Sequence, residues 1–163
     1  MAELTNLESK LGEVIGLAMA AQGVTEKVTK LEDVEGDLAQ TLERMQQEAK
    51  EAEERGTEVA ASFEGKKTAI LEEAREVKQK ATEMMQDYLD KASDGLDGFE
   101  FLTMAEAGEV GHWEILKTLN QRASHAGVQE LVEWGIPIQK RHFEDARQGS
   151  LKLAAEEDPN EIA

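Results

Sequence analysis

The chain has 163 residues, of which 35 are acidic and 18 basic, for a formal net charge of −17, and it contains no cysteine. Aromatic residues make up only 4% and there are two prolines, while Ala, Glu, Leu, Lys, Gln and Met dominate, the best helix formers. Disulfides, Cys-based zinc or iron–sulfur sites and thiol catalysis are thereby excluded, and a β-sandwich or barrel is disfavoured. The expected fold class is all-α. So acidic a surface repels phosphate backbones and anionic head groups, so neither nucleic acid nor membrane is expected as a partner. The longest apolar run, Val14 to Ala21, is far short of the roughly 20 residues that span a bilayer. The N-terminal Met-Ala-Glu-Leu-Thr has no basic region of the secretory kind, so a cytoplasmic location is expected.

Thr5 with Glu8 reads as a capping box opening a first helix, about 5–22, whose stripe Leu4, Leu7, Leu11, Val14, Ala18 and Ala21 steps by three and four. Gly23 is expected to end it and Thr25 to cap a second helix running from about Glu26 to Ala60, with the stripe Leu31, Val34, Leu38, Leu42, Met45, Ala49, Ala52 and Val59. Gly65 is the expected break before a third helix, about 66–92, that carries Ile70, Ala74, Val77, Ala81, Met84 and Tyr88. The stepping keeps phase from Met45 to Tyr88, so one long coiled-coil helix is the alternative there. In Ser93-Asp-Gly-Leu-Asp-Gly, Gly95 should stop the third helix, and Asp97 with Glu100 should open a fourth, about 98–123. A turn at His125-Ala-Gly127 leads to a fifth helix, about 128–156, in which Pro137 removes a backbone donor and predicts a kink. One domain, 1–156, is expected, followed by a polar tail, 157–163. Short loops make helices one and two, and four and five, antiparallel hairpins, with the third helix crossing back between them.

Helical phase selects the polar side chains that point inward. In the fourth helix Glu106 and Glu109 share a face with Phe99, Leu102, Val110, Trp113 and Leu116, and His112 sits at its edge. Gly108 and Gly111 flank them, open to close approach by another backbone. In the fifth, Gln139 and His142 share a face with Val128, Leu131, Val132, Gly135, Ile138, Ala146 and Leu153. On the first two helices Glu13 falls nearly opposite the stripe, while Glu8, Gln46 and Glu48 are marginal, so no matching ligands are expected from them. His125 is expected in an exposed turn, and Trp113 and Trp134 as packing residues. Two buried carboxyls facing a histidine need neutralising by a metal ion, by a proton shared with hydrogen bonds to His142 and Gln139, or by water, and the proton is favoured over the metal.

The segments Lys66-Lys-Thr-Ala-Ile-Leu-Glu-Glu73 and Val110-Gly-His-Trp-Glu-Ile115 resemble the ferritin-like superfamily, most of all its bacterial stress-associated, YciE-type branch. In that branch the second segment is similar to Val-Glu-His-Tyr-Glu-Ile. The resemblance implies a four-helix core with a crossover helix and a dinuclear iron or manganese centre, built from one Glu on each of two helices and a Glu-x-x-His pair on each of the others. This chain departs from the pattern. Gly111 replaces the glutamate before His112, the fifth helix has Gln139-x-x-His142, and the second helix offers only Gln40 with Glu43, off its stripe.

The leading expectation is a ferritin-like bundle with a degenerate or absent metal site and a binding or structural role, linked to stress by likeness alone. The enzyme-class alternative is an iron- or manganese-dependent redox protein using Glu106, Glu109 and His142, with Gln139 and His112 as lesser ligands. A third is an extended coiled-coil interaction protein, favoured if residues 45–88 form one helix. A homodimer fits either architecture.

Overall fold

The computed structural model describes residues 2–91 and 93–163. Met1, where the domain was expected to begin, and Ala92, the expected end of the third helix, lie outside the described residues. Five α-helices and no strand occur among the described residues: α1 (Asn6–Thr29), α2 (Asp37–Ala61), α3 (Lys67–Tyr88), α4 (Gly95–Ala123) and α5 (Ala126–Ala154).

The capping box at Thr5 forms as expected, with the Glu8 N–H donating to Thr5 Oγ1 at 3.2 Å and the Thr5 N–H to Glu8 Oε2 at 2.8 Å. The end of α1 does not. The helix runs through Gly23 and Thr25 to Thr29, because the stripe continues in phase through Val24 and Val28, both buried. Gly23 faces open space, and the Thr25 hydroxyl donates back to the Ala21 carbonyl at 2.8 Å rather than capping a new helix. The chain turns at residues 30–36, so Leu31 and Val34 belong to a loop, and Gly36 with φ of 58° precedes α2.

The break at Gly65 is found where it was expected, with φ of 71°, and residues 45–88 are therefore two helices. An extended coiled coil through this region loses its ground. At the next junction α3 already ends at Tyr88, with Leu89 extended and buried. Gly95 is the first residue of α4, not the stop of α3, and the capping box is Asp94 with Asp97, not Asp97 with Glu100. The Gly95 N–H donates to Asp33 Oδ1 at 2.7 Å, which fastens the 30–36 turn to the start of α4, where a carboxylate is favoured by the helix dipole. A Cβ at Gly95 would lie 2.7 Å from that oxygen. At α5, helical structure is continuous through Pro137, and residues 156–163 are exposed.

Contacts along the seams fix the directions. Ile15 meets Gly56 and Gln22 meets Glu53, so α1 and α2 are antiparallel. Glu13 meets His112 and Val28 meets Gly98, so α1 and α4 are antiparallel too. Trp113 meets Gly135 and Phe99 meets Gly149 across α4 and α5, and Arg44 meets Asp145 across α2 and α5. Only α3 runs parallel to its main neighbour, α1, against which Gly12 and Gly16 set its backbone closely. A Cβ on Gly12 would lie 2.8 Å from the Ile70 carbonyl oxygen, and one on Gly16 would strike that of Ala74. The chain thus forms two hairpins joined by α3, and α4 runs the same way as α2.

The apolar core falls into two clusters. One gathers Val28, Leu42, Met45, Phe99 and Leu102, and the other Leu11, Ile15, Ile70, Trp113, Leu116 and Val128. Each of these side chains is nearly inaccessible, a stabilisation of about 1.5–3 kcal/mol apiece for the larger ones. Between the clusters lies a band of buried polar residues.

Candidate functional site

The polar band is made by phase. Glu106 and Glu109 fall between Leu102 and Trp113 on the buried stripe of α4, and Gln139 and His142 between Gly135 and Ala146 on that of α5. All four are buried, as the sequence predicts: Glu106 is 1% exposed, Glu109 6%, Gln139 5% and His142 3%. The helices can approach because α5 presents glycine to the large rings of α4. A Cβ on Gly135 would overlap Trp113, and one on Gly149 would overlap Phe99. The close approaches therefore lie at Gly135 and Gly149, and at Gly12 and Gly16 on α1. At Gly108 and Gly111, where another backbone was expected, nothing comes within 4 Å.

Antiparallel packing places Glu106 opposite Gln139. The amide nitrogen of Gln139 donates to Glu106 Oε2 at 2.5 Å and lies 3.3 Å from the Glu106 backbone carbonyl. His142 presents Nδ1 to Glu106 Oε2 at 3.8 Å, too far for a hydrogen bond, and Nε2 to Glu48 Oε1 at 3.4 Å. Glu48 enters from α2 and is an addition to the expected set. It is ion-paired with Arg141 and lies 3.7 Å from the Arg44 guanidinium, which in turn holds Asp145 at 2.6 Å. Glu109 stands one turn beyond Glu106 and has no hydrogen-bond or ion-pair partner among the described residues.

Burial governs the electrostatics of this band. Loss of solvation pushes the Glu106 carboxyl up from 4.5 to about 7, opposed by the Gln139 hydrogen bond. Burial, reinforced by the negative charge of Glu106, holds Glu109 well above the ordinary carboxylate range. Burial also lowers His142, against the pull of Glu48, so the imidazole is neutral near pH 7. Below about pH 7 Glu106 therefore holds a proton, Glu109 holds one well above the ordinary carboxylate range, and the His142 ring is neutral near pH 7.

His112 is apart from this group. It is half-buried at the α1–α4 seam, with Nδ1 3.2 Å from both Lys10 Nζ and Glu13 Oε2, while Lys10 and Glu13 meet at 2.5 Å. Burial and then the Lys10 charge lower its affinity for a proton. Glu13 is therefore turned towards α4 rather than away from the bundle. The turn residue His125 is only half-buried, not fully exposed as expected, and it caps α5. Its Nδ1 accepts from the Val128 N–H at 3.2 Å, and its ring stacks on Phe63 at 4.3 Å between centroids. Trp113 packs in the core, and Trp134 lies under the Arg55 guanidinium, 4.4 Å from the ring centroid.

Glu106, Glu109 and His142 are not gathered into one ligand set as they are packed. Gln139 occupies Glu106 Oε2 with an N–H donor, the two nitrogens of His142 look towards two different carboxyls, and Glu48 is taken by arginines. The space left between Glu48, Glu109, Gln139 and His142 is about 10 Å³, room for no more than about one water. Among the described residues no group of three or more His, Asp or Glu side chains is gathered to hold a metal ion. Nor is any described helix long and apolar enough to cross a membrane. Set against family models, curated proteins and solved structures, the chain matches none of them.

Proposed function

We propose that this chain is a ferritin-like helical bundle without a dinuclear metal centre, serving as a binding protein rather than as an oxygen- or metal-handling enzyme. The fold reading is supported by the two antiparallel hairpins, the returning α3 and the parallel course of α2 and α4. Its YciE-type, stress-associated character rests on the likeness of Lys66–Glu73 and Val110–Ile115 alone, an analogy at the level of fold.

One observation carries the functional reading. Where a dinuclear centre of this architecture would need a second carboxylate beside histidine, α5 presents the Gln139 amide, and that amide donates to Glu106 at 2.5 Å. An N–H donor aimed at the carboxyl stabilises an oxygen acceptor, and it occupies the direction from which a cation would approach. Glu106 is then met by a proton and a hydrogen bond, and Glu109 by a proton. Such a band keeps the two apolar clusters in register without redox chemistry.

Metal analysis of protein purified from iron- and manganese-supplemented cells tests this reading. The expected result is metal well below one equivalent and unchanged in a His142→Ala variant. One or more equivalents of metal, lost in that variant, would contradict it.

A further inference from the structure

A cavity of about 230 Å³ lies over α1 between α3 and α4. It lies where Gly12 and Gly16 draw α3 onto α1, and beside it α3 meets α4 at Tyr88 and Phe101, whose ring centroids are 5.3 Å apart. Its walls are mostly apolar, with Leu17 and Ala20 from α1, Met84 from α3, and Phe101 and Met104 from α4. Met84 and Met104 are 59% and 49% exposed, so the cavity opens to solvent between them. Its volume is below that of sites for drug-sized ligands, about 300–1,000 Å³, and suits a smaller body.

Glu109 lines this cavity and is its telling feature. The side chain is 6% exposed and has neither hydrogen-bond nor ion-pair partner among the described residues. A buried carboxyl is ordinarily satisfied by the protein, because leaving it unmet is destabilising. Here the carboxyl instead lines an open space bounded mostly by methylene, methyl and thioether groups, with Glu106 and His112 also on its wall.

We propose that this cavity binds a small primary amine as its ammonium ion, with the ammonium on the Glu109 carboxylate and a hydrocarbon body among Leu17, Ala20, Met84, Phe101 and Met104. Charge selects the cation. Glu106 lines the same space, so an anionic ligand would face two acids, and the chain's net charge of −17 draws cations and repels anions. His112 also lines the space, but its Nδ1 is turned to Lys10 and Glu13, each at 3.2 Å, and Lys10 is itself paired with Glu13. A divalent metal would need several ligands converging at once, and among the described residues no group of three or more His, Asp or Glu side chains is gathered to hold one. An arriving ammonium supplies the charge that lets Glu109 ionise, and a charge-assisted hydrogen bond is roughly twice as strong as a neutral one. Methionine walls adapt to different hydrocarbon shapes, which fits a class of amines rather than one compound.

The proposal rests on the reading above that Glu109 is not a metal ligand. Titration calorimetry with hexylammonium, hexanol and hexanoate near neutral pH tests it on the full chain. Saturable one-to-one binding of hexylammonium is expected, with hexanol and hexanoate weaker by at least about tenfold. Glu109→Gln, close to isosteric, should weaken hexylammonium by about tenfold to a hundredfold, the loss of one charge-assisted hydrogen bond. Gly108→Leu provides a second variant. Gly108 lines the cavity and no atom lies within 4 Å of its absent Cβ, so the leucine enters open space and should block binding while helix content is unchanged. Absence of hexylammonium binding, equal binding of hexanol, or indifference to Glu109→Gln would overturn the proposal while leaving the metal-free bundle standing. Stoichiometric metal held through Glu109 would overturn both.

Discussion

Glu106 and Glu109 are one helical turn apart on α4, carry the same functional group and are both buried, yet they face different surroundings. Glu106 looks into the seam with α5, where glycines at 135 and 149 admit the large rings of α4 and Gln139 meets the carboxyl. Glu109 lines both the small space beside Gln139 and His142 and the cavity between α1, α3 and α4, and no hydrogen bond or ion pair holds it. The seam is complete in itself. The cavity has a polar group in want of a partner and an opening through which one can enter. The same two letters at spacing three therefore carry a structural role at one position and a recognition role at the other, and only the neighbouring helices decide which.

The largest effect that separates the two regions should be the response of stability to pH. A carboxyl whose pKa is raised on folding binds its proton more tightly in the native state. Its stabilisation is present below the unfolded value and is lost as pH rises through the folded one. For Glu106 that window runs from 4.5 to about 7, with Glu109 extending it upward. The neutral His142 has the opposite sign, losing stability as pH falls below 6.5. Above that value only the carboxyls act, so urea melts should show stability falling by on the order of a few kcal/mol between about pH 6.5 and 8. Glu109→Gln should remove most of that slope, and Glu106→Gln the smaller part around pH 7.

Next come two changes confined to the seam. Gly135→Val forces a branched side chain into the Trp113 ring and should destabilise by about 1–3 kcal/mol in urea or thermal melts. Gln139→Leu leaves the Glu106 carboxyl buried without its donor, and a loss of about 1–3 kcal/mol is expected from the same measurement. A neutral outcome for Gln139→Leu would mean that the amide does not satisfy the seam. The smallest change should come from Glu109→Leu, which removes a buried acid with no partner. Stability without ligand should stay level or rise by about 1 kcal/mol, because an isolated buried acid is replaced by hydrocarbon. Marked destabilisation would show that Glu109 is bound within the fold and would erase the contrast with Glu106.

Much of this was legible in the residues. The three-and-four spacing places Glu106, Glu109, Gln139 and His142 inside, and Gly65 marks the turn between α2 and α3, because both signals are local. The end of α1 was not legible from the stripe, since Val24, Val28, Leu31 and Val34 continue it without a phase slip. The better signal was Gly36 before Asp37, a positive-φ glycine at a helix start. Glu48 is marginal to the α2 stripe, yet it reaches His142 because α2 meets α5 through the Arg44, Asp145 and Arg141 charges. Glu13 likewise turns to α4 through Lys10 and His112. The cavity was the least legible feature. It follows from glycines on α1, methionines on α3 and α4, and the side on which α3 leans, and no single stretch of chain contains that combination.

The central claim is that protons, not metal ions, neutralise the inward acids. Carbon-13 NMR titration of the Glu106 and Glu109 carboxyls in metal-free, ligand-free protein tests it most directly. The account predicts that Glu106 titrates near pH 7 and Glu109 well above the ordinary range, with both protonated under mildly acidic conditions. Titration of both groups at the ordinary 4.5 would contradict it.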